Sequence, residues 1–115
     1  MLYCSATTSL CALEVLAHTG GLPKGMVEIK ADLPEDLVEF LKDSDLPNDW
    51  NSLVDAKSTK DIGTDWAKSH RTVVLSVPSV VVPQERNFLL NPRHPEFSRI
   101  LFRTPKPFVF DPRLK

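Results

Sequence analysis

Proline is the residue that most constrains what this chain can fold into, because ten prolines stand against four glycines in 115 residues. Proline has no backbone N–H and a fixed φ, so helix interiors and the hydrogen-bonded centres of sheets exclude it. Most of these prolines lie in the second half of the chain, from Pro78 to Pro112. The sequence therefore predicts short elements that are separated by turns.

The first helix is predicted over residues 7–18. A cluster of hydroxyl residues at 5–9 is suited to capping its start, and a glycine pair follows its end. Apolar residues are spread around most of its circumference, which predicts burial on nearly all sides. Glu14 and His18 lie four residues apart and form one polar strip, bordered by Cys11.

A second helix is predicted after Ser58, which stands three residues before Asp61 with the spacing of a capping box. This helix should end near His70, and Trp66 should anchor it in the core. The apolar stripe predicted for it consists of Ile62, Gly63, Trp66 and Ala67.

Short strands make up the rest of the pattern, and the segment 35–41 is ambiguous between a strand and a helical turn. In residues 26–32, Val27 and Ile29 alternate with charged residues, which predicts a half-buried strand. The pattern predicts one α+β domain over residues 1–115, with a small mixed or antiparallel sheet and two main helices. The predicted strands are 1–4, 26–32, 72–82, 87–90, 100–103 and 108–110, and Pro78 splits the third of these into a central segment and a continuation or bend.

Charge and cysteine content exclude several function classes. The net charge is −1, with 14 basic and 15 acidic residues, so we expect neither nucleic acid nor a membrane surface as a direct partner. No apolar run approaches the ~18–20 residues of a membrane span. Cys4 and Cys11 are too few for a disulfide framework, which predicts reduced thiols and a cytoplasmic location. The three histidines and two cysteines lack the spacing of metal ligands, so no metal site is predicted.

Glu14 is the first candidate functional residue. A carboxylate within an apolar helix costs several kcal/mol to desolvate unless it is paired or lines a wet cleft. The alternative is an exposed position with a weak contact to His18. Ser79, a hydroxyl between valine runs, is the second candidate, although a strand-end serine that bonds nearby backbone is the commoner case.

Two further residues allow a structural and a functional interpretation. Asn91 stands in an Asn-Pro-Arg-His-Pro segment that is typical of a rigid turn. Tyr3, on the first strand, is more often a core residue than a ligand-stacking one. Trp50, like Trp66, is expected to be a core anchor.

Several short motifs, taken in order, resemble those of RES-domain proteins. They cover nearly the whole chain, and their combination is specific although each is short. The motifs are Leu2-Tyr3-Cys4-Ser5 with Leu10–His18, Leu46–Trp50 with Ile62–Trp66, Leu75–Val80, Glu85–Pro95 and Phe110–Leu114.

The resemblance implies a bacterial toxin of a toxin–antitoxin pair, neutralised by an antitoxin of the Xre helix-turn-helix type. It implies a fold similar to that of ADP-ribosyltransferase toxins. NAD+ would be a substrate rather than a cofactor, cleaved at its nicotinamide–ribose bond with water or phosphate as acceptor. A transferase that attaches ADP-ribose to a protein follows from the same fold.

The family is named for an arginine, a glutamate and a serine, and the last two match Glu14 and Ser79. In the resulting hypothesis Glu14 and Ser79 are catalytic, with Glu14 stabilising the positive ribose of the transition state. Substrate binding is assigned to Ser79, Tyr3 and Asn91, with Tyr3 beside the nicotinamide.

One departure from the family concerns the arginine. In the family a segment that bears it precedes the strand holding Tyr3, whereas the first arginine here is Arg71. Either the start of the sequence is mis-assigned or fragmentary, or the domain has lost this phosphate-binding residue. Arginine's bidentate fork is hard to replace at a pyrophosphate. A catalytically inactive module that binds the antitoxin is therefore the alternative function. A sheet without that segment would expose an unpaired edge and apolar surface. We therefore also expect self-association, or dependence on the antitoxin for solubility.

Overall fold

The computed structural model describes residues 1–46, 48 and 57–114, and within them it shows an α+β fold, which confirms the predicted class. Its helices are α1 (Thr8–Ala17) and α2 (Lys57–Ser69). Its strands are β1 (Leu2–Ser5), β2 (Met26–Glu28), β3 (Ala31–Asp32), β4 (Val38–Phe40), β5 (Val74–Pro78), β6 (Arg86–Leu90), β7 (Leu101–Phe102) and β8 (Lys106–Phe108). Single 3-10 turns occupy residues 35–37, 43–45, 97–99 and 112–114.

The main sheet has the strand order β1-β6-β5-β4. Both pairs that involve β6 are antiparallel, and β4 pairs with β5 in parallel. Strand β5 lies inside the sheet and is mostly buried, as its β-branched composition predicts. Pro78 is its last residue, where the missing N–H does least damage to the sheet. Beyond it residues 80–82 form a bend with Val80 and Val81 exposed, so of the two predicted alternatives, a continuation of the strand or a bend, the bend is confirmed.

Two small ribbons, β2–β8 and β3–β7, stand beside the main sheet. The predicted strand over residues 26–32 is therefore split in two, and its predicted burial is wrong because Val27 and Ile29 are exposed. Alternation leads to burial only when a second layer covers the apolar face. Here Val27 and Ile29 border an open cleft, so no packed layer covers them.

Helix α1 has the predicted bounds, with Thr7 as N-cap; its Oγ1 accepts a hydrogen bond from the backbone N–H of Leu10 at 3.1 Å. The predicted all-round burial is wrong. Leu10 and Leu16 are buried, but Leu13 is 42% exposed and Cys11 is exposed. Cys11 lies on the flank of α1 that lines the cleft, whereas Leu13 is exposed and is not among the described residues that line it.

Helix α2 packs on the main sheet through Trp66, which is buried against Leu75 and Leu89 as predicted. The indole N–H of Trp66 donates a hydrogen bond to Thr72 Oγ1 at 2.8 Å. The helix begins at Lys57, so Ser58 stands inside it and the predicted capping box does not mark its start. Trp50 lies outside the described residues.

The remaining differences between the predicted and the observed elements are small shifts of their ends near prolines and turns. The ambiguous segment 35–41 contains both a 3-10 turn and β4. The last predicted strands are shorter or displaced, since β7 covers two residues and β8 ends at Phe108. In the described part of the chain, no helix is long and apolar enough to cross a membrane.

Candidate active site

Glu14 and Ser79 are 65 residues apart in sequence and in direct contact in the structure. Glu14 lies in the second half of α1, and Ser79 directly follows β5, where it is fully buried. The Ser79 hydroxyl donates a hydrogen bond to Glu14 Oε1 over 2.6 Å. The two residues that stood out of character in the sequence therefore form one site.

The Ser79 hydroxyl also accepts two hydrogen bonds, from the backbone N–H groups of Val81 at 3.1 Å and Val82 at 3.0 Å. A hydroxyl offers one donor and two acceptor positions. All three are used inside the protein, so Ser79 has no position left for a ligand oxygen unless one of these bonds breaks. In this geometry Ser79 holds Glu14 and the turn, and its contact with substrate stays a prediction.

Asn87 and Ser5 complete the site, and the sequence analysis missed both. The amide Nδ2 of Asn87 donates to Glu14 Oε1 at 2.8 Å. The hydroxyl of Ser5 donates to Asn87 Oδ1 at 2.7 Å, since β1 and β6 place these two residues directly opposite each other. The signal for Asn87 was a polar amide at the start of an apolar strand, but its partner could not be known without the strand register.

The two carboxylate oxygens of Glu14 differ in their surroundings. Oε1 accepts both hydrogen bonds, whereas among the described residues the group recorded near Oε2 is His18 Nε2, at 3.9 Å. That distance exceeds a hydrogen bond. The Glu14 side chain is 20% exposed and that of His18 is 79% exposed. Among the described residues, Oε2 is thus the carboxylate oxygen of Glu14 that accepts no hydrogen bond.

A cleft of about 680 Å³ adjoins Ser5, whereas Glu14, Asn87 and Ser79 are not among the described residues that line it. Its walls come from β1, from one stripe of α1 and from residues 26–33, and four aromatic rings contribute to its lining: Tyr3, Phe88, Phe108 and Phe110. Ser5 also lines it and connects it to Glu14 through Asn87. Tyr3 is 71% exposed, so the expectation that it packs in the core is wrong.

The two thiols, Cys4 and Cys11, line the same cleft. Burial raises the pKa of Cys4, and the neighbouring Cys11 raises it further. Burial also raises the pKa of Cys11, with smaller contributions from the carboxylates of Glu14 and Glu28, while a hydrogen bond with Ser5 opposes the shift. Both side chains therefore favour the neutral thiol.

Asn91, the remaining predicted site residue, has a different environment. It is buried, its amide Nδ2 donates to the carbonyl of Ala67 at 3.0 Å, and its Oδ1 accepts from the backbone N–H of Arg93 at 3.1 Å. It follows β6 at the opposite end from Asn87, about 13 Å away along the strand. The structure therefore supports the turn interpretation for Asn91 and does not bring it to Glu14.

A carboxylate fixed through one oxygen and open at the other can stabilise positive charge that develops in front of it. No hydrogen bond or ion pair among the described residues joins Glu14 to a second carboxylate. In the same part of the chain, no cluster of three or more His, Cys, Asp or Glu side chains could hold a metal ion. The chemistry of the described groups is electrostatic.

A family model described as RES domain matches residues 1–111 of this chain. The chain is 33% identical over 119 residues to a protein named "Prs ADP-ribosylating toxin" from Sphingobium sp. strain YBL2. That alignment covers 99% of this chain and 74% of the relative.

Two further relatives are each named "Toxin Res". The one from Yersinia enterocolitica is 37% identical over 117 residues, covering 99% of this chain and 77% of the relative. The one from Photorhabdus laumondii is 36% identical over 101 residues, covering 86% of this chain and 65% of the relative.

Proposed function

Since this chain belongs to the RES domain family, we propose that it is a bacterial toxin that depletes NAD+ by breaking the nicotinamide–ribose bond. The toxin role is supported by the names of three relatives that are 33–37% identical to it. The proposed chemistry is supported by the site around Glu14, and above all by one observation. Two donors hold Oε1 of a partly buried carboxylate, and among the described residues Oε2 accepts no hydrogen bond.

In the proposed reaction the bond between the ribose C1′ and the nicotinamide nitrogen breaks, and its electron pair leaves with nicotinamide. The ribose carbon becomes an oxocarbenium-like centre, whose positive charge Glu14 Oε2 stabilises. This charge exists in the transition state and not on the ribose of the ground state, so its stabilisation accelerates the reaction. Water then adds to C1′ and loses a proton to solvent, which gives ADP-ribose.

A site with one carboxylate suits this leaving group. Glycosidases use two carboxyl groups, because an alkoxide leaving group must be protonated as it departs. The nicotinamide of NAD+ carries a positive charge and leaves as a neutral molecule, so no general acid is required. Glu14 has no carboxyl partner among the described residues, which fits this requirement.

The cleft has the size and composition of a small-molecule site. Its volume of about 680 Å³ falls within the range of roughly 300–1,000 Å³ that is usual for ligand pockets. We assign the nicotinamide ring to the neighbourhood of Tyr3, whose exposed ring is free to stack on it. Ser5, which lines the cleft, is linked to Glu14 by two successive hydrogen bonds through Asn87.

Transfer of ADP-ribose to a protein is the second candidate function, because one relative is named an ADP-ribosylating toxin. Both functions share the step that Glu14 serves, and they differ in whether water, phosphate or a protein side chain attacks C1′. As antitoxin we propose a protein of the Xre helix-turn-helix type. Co-expression with such a protein should relieve growth arrest and yield a complex on size-exclusion chromatography. If growth arrest persists and no complex forms, the proposed antitoxin type is wrong.

The activity is tested by incubating the purified protein with NAD+ and measuring released nicotinamide, with and without added phosphate. NAD+ labelled in the adenylate moiety shows whether the label ends in ADP-ribose, in its phosphate ester or on protein. Nicotinamide release supports bond cleavage, and the label identifies the acceptor. Absence of nicotinamide release would overturn the proposed NAD+ cleavage. The alternative function, a catalytically inactive module that binds the antitoxin, would then remain.

The role of Glu14 is tested by Glu14→Gln, which keeps the shape and removes the charge. We expect kcat to fall by about 10²–10³ at unchanged thermal stability, the usual effect of removing one electrostatic group. Glu35→Gln, at an exposed carboxylate in a 3-10 turn, is the matched control and should keep parental turnover. Near-parental turnover of folded Glu14→Gln would show that Glu14 does not act in this way.

A further inference from the structure

We infer that Asn87 is the positioning residue of this site: held by Ser5, it fixes the orientation of the Glu14 carboxylate. The inference rests on the proposed function, because it concerns the same reaction. It adds a residue to the glutamate and serine of the family's name. Its basis is the chain of hydrogen bonds Ser5–Asn87–Glu14.

The two partners of Asn87 determine how its amide is oriented. A carboxylate accepts hydrogen bonds and donates none, so the side of Asn87 that faces Glu14 at 2.8 Å must be the NH2 group. The carbonyl Oδ1 then faces Ser5, whose hydroxyl donates to it at 2.7 Å. The carboxylate of Glu14 therefore fixes the orientation of the amide, and the Ser5 hydroxyl holds the amide in place by donating to Oδ1.

Asn87 and Ser79 approach the same oxygen of Glu14 from two different strand ends. A single donor would leave the carboxylate free to rotate about its contact, whereas two donors on Oε1 fix the plane of the group. The consequence is that Oε2 projects in one direction. A group held in position before the reaction stabilises developing charge better than one that must first reorient.

Arg86, the residue before Asn87, strengthens this arrangement through both its side chain and its backbone. Arg86 donates from its guanidinium to the Ser76 hydroxyl, to the Ser76 carbonyl and to the Leu41 carbonyl, at 2.8–3.0 Å. Its own carbonyl accepts from the N–H of Ala6 at 3.1 Å. The start of β6 is thereby tied to β5 on one side and to the end of β1 on the other, which places Asn87 opposite Ser5.

Two substitutions separate positioning from a purely structural role. Asn87→Ala removes the amide, and Asn87→Asp keeps the shape and an acceptor for Ser5 but sets a second carboxylate against Glu14. If Asn87 only holds β1 to β6, then Asp should be tolerated better than Ala. If Asn87 positions Glu14, then Asp should be worse than Ala, because like charges repel at this distance.

We expect kcat for NAD+ cleavage to fall about 10-fold in Asn87→Ala and about 100-fold in Asn87→Asp at pH 8, with KM little changed, since Asn87 acts through Glu14. Ser5→Ala should show a smaller loss than Asn87→Ala. Gln84→Glu adds the same charge at an exposed amide in the β5–β6 turn and should leave kcat unchanged.

A second measurement does not depend on catalysis. The carboxyl-carbon NMR signal of Glu14, identified by its loss in Glu14→Gln, should move in Asn87→Ala and stay in place in Gln84→Glu. If the parent releases no nicotinamide but the signal moves, the proposed function fails and Asn87 still positions Glu14. If the signal stays in place, or if folded Asn87→Asp is as active as the parent, the positioning role is overturned.

Discussion

At the scale of single residues, the Ser79 hydroxyl joins Glu14 to the turn that follows β5. Removing it in Ser79→Ala leaves two backbone N–H groups and one carboxylate oxygen short of a partner in a buried place. We expect a loss of about 1–3 kcal/mol in the free energy of unfolding, measured by urea titration. Ser98→Ala removes an exposed hydroxyl and should change stability by less than about 0.5 kcal/mol. Equal stability of the two variants would contradict the role assigned to Ser79.

The thiols give a prediction about pH. Because the pKa of both Cys4 and Cys11 is raised, first of all by burial, each thiolate is scarcer in the folded protein than in the unfolded chain. We therefore expect iodoacetamide to react more slowly with the native protein than with the same chain in urea at pH 8, with a gap that narrows at higher pH. Single Cys→Ser variants separate the two thiols. Equal native and denatured rates would contradict the prediction.

The same shifts determine the sign of the effect on stability. The unfolded chain loses its thiol protons at lower pH than the folded protein does. The two neutral thiols therefore make their full contribution to the stability of the folded protein at pH values below the ordinary pKa of a thiol. This contribution is lost as the pH rises above that value and through the raised pKa of the folded protein. Cys4→Ser together with Cys11→Ser should weaken this alkaline loss.

At the scale of elements, Gly63 lies on the face of α2 that packs on β6. A methyl group at this position would meet Leu89 Cδ1 at 3.6 Å, an ordinary van der Waals contact. We expect Gly63→Ala to stabilise the protein by about 0.5–1 kcal/mol, because alanine loses less backbone entropy in a helix. Gly25, with a φ of 68°, is the control: Gly25→Ala should destabilise by about 1 kcal/mol. Thermal unfolding of the two variants should shift in opposite directions.

Arg86 joins the strands of the main sheet through uncharged partners. Its guanidinium binds a hydroxyl and two carbonyl groups, and Ser76 among them is fully buried. Arg86→Ala should lower the free energy of unfolding by about 2–3 kcal/mol, because these groups lose their donor. Arg86→Lys should recover part of the loss, since an ammonium group cannot reproduce the planar fork. Full recovery in Arg86→Lys would show that the charge alone matters.

At the scale of the whole molecule, the two ribbons leave many apolar side chains exposed, including Leu101, Val27 and Val109. Exposed apolar surface of this kind is typical of contact sites. We expect the purified protein to self-associate at high concentration unless its antitoxin covers this surface. Leu101→Lys should lower the weight-average mass by light scattering, whereas Gln84→Lys, which adds the same charge at a polar position, should not. A monodisperse parent would contradict the expectation.

The sequence by itself determined the elements whose signals are local. The ends of α1 were indicated by Thr7 and by the glycines after residue 18. The apolar stripe that contains Trp66 identified the core side of α2, and the valines before Pro78 identified β5. It also identified Glu14 and Ser79, because a polar side chain among apolar neighbours is visible without coordinates. The family could be inferred from the motifs, and the match over residues 1–111 confirms it.

Only the tertiary structure decided which side chains meet. The register of β1 on β6 places Ser5 opposite Asn87, and a shift of one residue would turn both away from this face. The exposure of Val27, Ile29 and Tyr3 likewise depends on packing, since among the described residues these three side chains line a cleft. Burial and long-range hydrogen bonds are properties of packing between distant segments, whereas caps, turns and periodicity depend on neighbours along the chain.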